Sequence, residues 1–282
     1  MNWDKVKNIL IIILVLLNGF LFISMQESGA KRETDAKINE YVFTVLEERG
    51  ITITCEVPDI SGSTKIVHFG QAGFDKERVL SVLLDLEGPF EPTQTQFENN
   101  EKKVVFINPG FSHFYFTDSS KKTEQVLDIH QKSAVKKYVL DYLESIGVEW
   151  SDHIVYDYKV NEKEKTATIL IYQKYVGSVL YDNFVRAIIN ETGFILIETA
   201  FSQINGIEIS DQSSLLKPHQ VLMKFFTEET IDSKVILIEE GIKKNTFWDP
   251  ALSEEQAGLC WKIVTEKGHE IYVSLMNGQE VK

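Results

Sequence analysis

Between Asn8 and Gln26 the chain carries no charged residue, and from Ile9 to Leu17 it is apolar on every helical face. A helix of that length reaches about 28 Å, close to the ~30 Å hydrocarbon core of a bilayer. Backbone inside a bilayer must satisfy its own hydrogen bonds, so the pattern predicts a transmembrane helix over 8–26. Lys5 and Lys7 precede it, and Trp3 suits the interface beside them, which places residues 1–7 in the cytoplasm and the rest of the chain outside the cell membrane. Two other readings compete. Ser28-Gly29-Ala30 offers a cleavage-like site for a signal peptide, although the apolar run is long and Glu27 and Lys31 crowd that site. A buried core helix would need a polar stripe that Ile9–Leu17 lacks.

Beyond a polar linker at 27–36, the periodicity changes. Ile38, Tyr41, Val42, Val45 and Leu46 share one helix face, ended by Gly50. Ile51 to Val57 alternates as a strand, stopped by Pro58. Ile66–Phe69 reads as a short strand, and Asp75 as the N-cap of a helix through Leu86. Strands follow at 94–98, 103–108 and 111–117, the last patterned for burial on both faces. These elements make an N-terminal α+β part, 37–122. A second unit, 123–210, opens with a helix from Glu124 to Ile146, closed by Gly147. It continues as strands at 153–160, 166–175, 179–190 and 194–204, joined by the turn residues of Asn161-Glu-Lys-Glu and Asn190-Glu-Thr-Gly. A third unit, 211–282, opens with a helix at Pro218–Glu228. Strands follow at 234–243, 257–265 and 270–275. The second and third units read as copies, each a helix laid on an antiparallel sheet. The fold class is therefore α+β: one transmembrane helix, then an extracytoplasmic domain of helix-on-sheet units.

Charge narrows the partners. The formal net charge is −13 over 282 residues, and the first 26 are slightly basic, so the acidic excess lies in the outer part. Such a surface repels phosphate backbones and makes nucleic acid a poor partner. The two cysteines, Cys55 and Cys260, lie far apart in sequence. They read first as small buried hydrophobes, with a single disulfide as the alternative outside the membrane.

Searching for chemistry returns little. There is no phosphate-binding glycine loop, no His-Glu-x-x-His and no Gly-x-Ser-x-Gly. Gly110-Phe-Ser-His is the nearest fragment and reads as a strand start. The six histidines are dispersed, and no cofactor or metal ligand set is legible. No catalytic residue is assigned. Aromatics are the richer signal, dense at 111–116, 172–175 and 181–184. They read mainly as core and cross-strand pairs, with Phe247 and Trp248 on a loop as a protein-binding surface. In the anchor, Asn18-Gly19 reads as a helix–helix docking face, Gly for close approach and Asn for a bond across it. Leu14 and Phe22 belong to the same contact.

The opening Met1-Asn-Trp-Asp-Lys-Val-Lys-Asn-Ile-Leu-Ile-Ile-Ile, one anchor and a long α+β outer part resemble the YycH/YycI family, and YycI more closely. Trp261-Lys-Ile-Val followed by Tyr272-Val-Ser-Leu-Met-Asn-Gly is similar to a PepSY-type repeat. The resemblance implies a regulator rather than an enzyme: a single-pass accessory protein of a YycG (WalK) sensor histidine kinase in Gram-positive bacteria. It implies contact with the kinase through transmembrane helices, in a complex with a YycH-like sister protein, as a homo- or hetero-oligomer. It brings no catalytic residues and no cofactor. The alternative is a PepSY-like module that binds a peptide or protease, with the helix only as tether.

Overall fold

A computed structural model describes Leu14 and, within 37–281, all residues except 39, 59–62, 71–72, 109, 121–123, 125, 211–214, 226–233 and 245–255. The predicted anchor, apart from Leu14, lies outside the described residues. No helix among the described residues is long and apolar enough to cross a membrane.

The fold is sheet-rich α+β. Helix α1 covers 40–48. It is followed by β1 (Thr52–Ile53), β2 (Thr64–Phe69), α2 (Lys76–Leu84), β3 (Gln96–Asn99), β4 (Lys102–Phe106), β5 (His113–Asp118) and α3 (Lys132–Ser145). Then come β6 (His153–Asn161), β7 (Thr166–Tyr175), β8 (Ser178–Asn190), β9 (Gly193–Ala200) and β10 (Ile204–Ser210). The chain closes with α4 (Pro218–Phe225), β11 (Lys234–Lys244), β12 (Gln256–Thr265) and β13 (Glu270–Ser274). Among the described residues, all 13 strands join one sheet.

That sheet is not a simple row, because its long strands change partners along their length. The end of β8 nearest β7's tail pairs in parallel with β11 at Val179 and Leu180, and the rest of β8 pairs with β9 from Phe184 onward. β12 pairs with β2 at one end and β13 at the other. The N-terminal strands are divided: β3–β5 extend the sheet beyond β9, whereas β1 and β2 join β11, β12 and β10. Residues 37–122 therefore do not close on themselves as one sheet.

Helices cover one face in two places. α2 and α3 bury Val79, Leu80, Val135 and Val139 against Phe114, Ile169, Ile171 and Val185. α1 and α4 bury Leu46, Val221 and Leu222 against Val67, Leu259, Trp261 and Ile263. α2 starts at Asp75, whose carboxylate accepts from the Arg78 N–H at 3.2 Å, an N-cap bond. Arg78 then reaches across to α3, donating from Nε to the Ser145 carbonyl at 2.7 Å and from Nη2 to that of Glu144 at 3.0 Å. A cation there satisfies orphan carbonyls and complements the negative end of the helix dipole.

Several expectations need correction. α3 begins at Lys132, not Glu124, because the Val126 and Leu127 N–H groups donate to the Glu191 carbonyl in the β8–β9 turn. β1 is two residues long, not seven, and β5 is buried on one face only, through Phe114, Phe116 and Asp118. The strand expected to run to Ile204 divides into β9 and β10.

Candidate functional site

The sheet face away from the helices carries a third, smaller cluster. It is built from Leu170 and Tyr172 of β7, Tyr181 of β8 and Cys260 of β12, with Tyr156, Phe184 and Tyr272 packed around it. It exists because β8 breaks its register. Tyr172 pairs with Phe184, but the next residue, Gln173, pairs with Leu180, so residues 181–183 of β8 are extra. A bulge of this kind re-aims side chains.

Each of the three has a task. Asn183 is wholly buried where β9 and β11 diverge from β8. Its Nδ2 donates to Gln173 Oε1 at 2.7 Å and to the Ser202 carbonyl at 2.9 Å, and its Oδ1 accepts from the Ser202 N–H at 3.0 Å. It thus supplies bonds that no strand supplies at the fork. Asn183→Ala is expected to destabilise the chain by about 1–3 kcal/mol, the cost of leaving buried partners unsatisfied. Chemical denaturation would check this, and a loss indistinguishable from zero would show that the fork does not depend on Asn183. Asp182 clamps the end of β11, taking Lys243 Nζ at 3.1 Å and the Lys244 N–H at 2.6 Å. Tyr181 lies over Gly241, where a Cβ would collide with its ring. Glycine is required at 241 by that approach.

Lys262 sits in the middle of the cluster with no exposed surface. Its Nζ lies 2.9 Å from Glu270 Oε1. It is 4.3 Å from the centre of the Tyr156 ring, and 5.5–5.6 Å from those of Tyr172, Tyr181 and Tyr272. A desolvated cation among aromatic faces is held by their quadrupoles. Burial lowers the Lys262 pKa, and Glu270 opposes that shift. Burial pushes Tyr172 up to about 12 and raises Tyr156, Tyr181 and Tyr272 further. Two rings come from β6 and β7, one from the β8 bulge and one from β13, so the cage joins strands from both halves of the sheet.

Beside the cage, a cleft of about 400 Å³ opens between the ends of β9 and β11. Its far wall is an ionic group on Glu198. Tyr115 Oη donates to Glu198 at 2.9 Å, Arg186 Nη1 donates at 2.9 Å, and His113 Nε2 lies 3.5 Å away. His113, with Tyr115 and Arg186, holds the Glu198 carboxyl below the usual carboxylate range. Ser112 shows no activation as a nucleophile: its hydroxyl accepts from Asn108 Nδ2 at 2.6 Å and closes the β4–β5 turn. Both cysteines are free, Cys260 buried and Cys55 half-buried, and burial raises both thiols. A raised thiol is poorly nucleophilic. Among the described residues no group of three or more His, Cys, Asp or Glu could hold a metal ion.

Of the residues singled out from sequence, Trp3, Lys5, Lys7, Asn18, Gly19, Phe22, Phe247 and Trp248 lie outside the described residues. Leu14 is helical and exposed. Sequence reading missed Lys262 and Asp182. The signal for Lys262 was available: one lysine in Leu259-Cys-Trp-Lys-Ile-Val, a run otherwise fit for burial on both faces.

Residues 31–277 match the family model described as YycI protein. No curated protein matches the sequence. Among solved structures, the chain is similar to the Bacillus megaterium YpeB C-terminal domain, at 10% identity and a TM-score of 0.37 over 75% of this chain and 97% of that one.

Proposed function

Since this chain belongs to the YycI family, we propose that it is a membrane-anchored regulatory subunit of a YycG/WalK-type sensor histidine kinase. Residues 8–26 form a single transmembrane helix, with the N-terminus in the cytoplasm and the sheet domain outside. The match over 31–277 carries the reading. The uncharged run from Asn8 to Gln26 supports the anchor, and its Asn18-Gly19 pair supports helix–helix docking on the kinase. A docked helix regulates only through a difference in its affinity for the kinase's two signalling states. Regulation, not catalysis, is the role, and a YycH-like sister protein is the second partner. The outer domain presents a covered core and a polar cleft suited to contact.

The test is co-purification of the full-length chain with sensor kinases from detergent-solubilised membranes, beside a variant whose residues 8–26 are poly-leucine. The kinase is expected with the native anchor and not with poly-leucine. Retention by both would place the contact in the sheet domain and make the helix a tether. Recovery with neither would remove the kinase from the reading.

A further inference from the structure

Independently of the family reading, we propose that the cleft between the ends of β9 and β11 binds a neutral saccharide. At about 400 Å³ it falls toward the small end of ligand sites, roughly 300–1,000 Å³, with room for a mono- or disaccharide.

Three features select the ligand class. First, the charges cancel. Arg186, Lys243 and Lys244 line the cleft with Asp182, Glu198 and Glu270, three cations against three anions. Arg186 already pairs with Glu198 and Lys243 with Asp182. A free anion or cation would gain no net attraction from such a lining. Second, the strand backbone on the β9 side of the cleft is already paired: Ala200 lies between His113 and Phe184 in the ladder. An extended peptide binds a sheet by adding to a free edge, and β9 offers none here. Third, what remains is what hydroxyl groups use. Phe184 presents a half-buried ring, and the Ser112 and Ser202 hydroxyls, which accept from Asn108 Nδ2 and Lys244 Nζ, keep their O–H donors. The Arg186 guanidinium bonds through Nη1 alone and has four further N–H donors. A pyranose offers an apolar C–H face for a ring and hydroxyls that donate and accept at once, so it can bridge a carboxylate and a guanidinium without separating them.

The experiment uses the full-length chain in a sugar-free detergent. Chitotetraose and cellotetraose are titrated by saturation-transfer NMR and intrinsic fluorescence, with trialanine and inorganic phosphate as contrasting probes. Saturable binding of at least one oligosaccharide is expected, and none of trialanine or phosphate. Phe184→Ala and Arg186→Ala are each expected to weaken it about tenfold or more, the equivalent of 1.4 kcal/mol. Arg186 is exposed, so its variant keeps the test valid if Phe184→Ala fails to fold. Failure of both oligosaccharides to bind overturns the proposal. So does unchanged affinity in a folded Arg186→Ala chain, or saturable binding of trialanine or phosphate.

Discussion

Replacing Lys262 with alanine is expected to cost the fold about 3 kcal/mol, most of it from losing the methylenes beyond Cβ at about 0.8 kcal/mol per buried CH₂. Lys262→Met, which keeps the length and apolar stem, is expected to cost less than about 1 kcal/mol, because the lost cation–π attraction is offset by not having to desolvate an ammonium. The counter-ion behaves differently. Glu270 is 39% exposed, so once Lys262 is gone its carboxylate still reaches water. Glu270→Gln instead strands a wholly buried cation among four rings, and should cost more than Lys262→Met. Urea denaturation of the three variants gives the ordering. If Lys262→Met destabilises as much as Lys262→Ala, the ammonium and not its stem holds the cage together. If Glu270→Gln is the mildest of the three, the ion pair adds nothing to the rings.

The parts of this fold that sequence made legible are those whose information is local. β7, β8 and β11–β13 were bounded within two residues, because long alternation was punctuated by turn chemistry at Asn161, Asn190 and Asn277. α2 was found through its cap at Asp75, although it ends at Leu84, short of Leu86. Elements failed where a distant partner decided. Residues 126–127 have a helical composition but spend their N–H groups on the Glu191 carbonyl. The alternation of Ile51–Val57 supports only a two-residue β1, since β11 pairs with β1 only at Lys234 and Val235 and with β8 further along.

The site was less legible than the fold for one physical reason. Strand patterns assign faces by odd and even position, and the extra residues 181–183 in β8 reset that count. Tyr181 and Phe184 are three apart, so alternation puts them on opposite faces, yet both pack in the cage cluster. Tyr156 meets Lys262 only because β8 and β11 join in parallel some 60 residues apart in sequence, a contact that leaves no local trace, whereas Tyr272 lies directly opposite Lys262 in the β12–β13 ladder.

The same cage should make the protein unfold abruptly in alkali. Tyr156, Tyr172, Tyr181 and Tyr272 form a chain of ring contacts with centroids 5.1–5.5 Å apart. Burial raises the pKa of each in the folded chain, whereas an unfolded tyrosine titrates near about 10. Above that pH the folded state holds protons that the unfolded state has released. Stability that is complete below about pH 10 is then lost as pH rises, by about 1.4 kcal/mol per pH unit for each tyrosine. Lys262 works in the opposite direction, since its lowered pKa lets the folded state release a proton before the unfolded state does, but it is one proton against four. With four tyrosines acting together, a typical margin of about 5–15 kcal/mol is consumed within a few pH units. Tyrosinate absorbance and circular dichroism should therefore change together, in one steep step. Tyr272→Phe removes one of the protons, so its transition should move to higher pH and become shallower by about one proton. Gradual tyrosinate formation near pH 10 with the circular dichroism unchanged would mean that the rings are open to hydroxide and that the cage is not closed in solution.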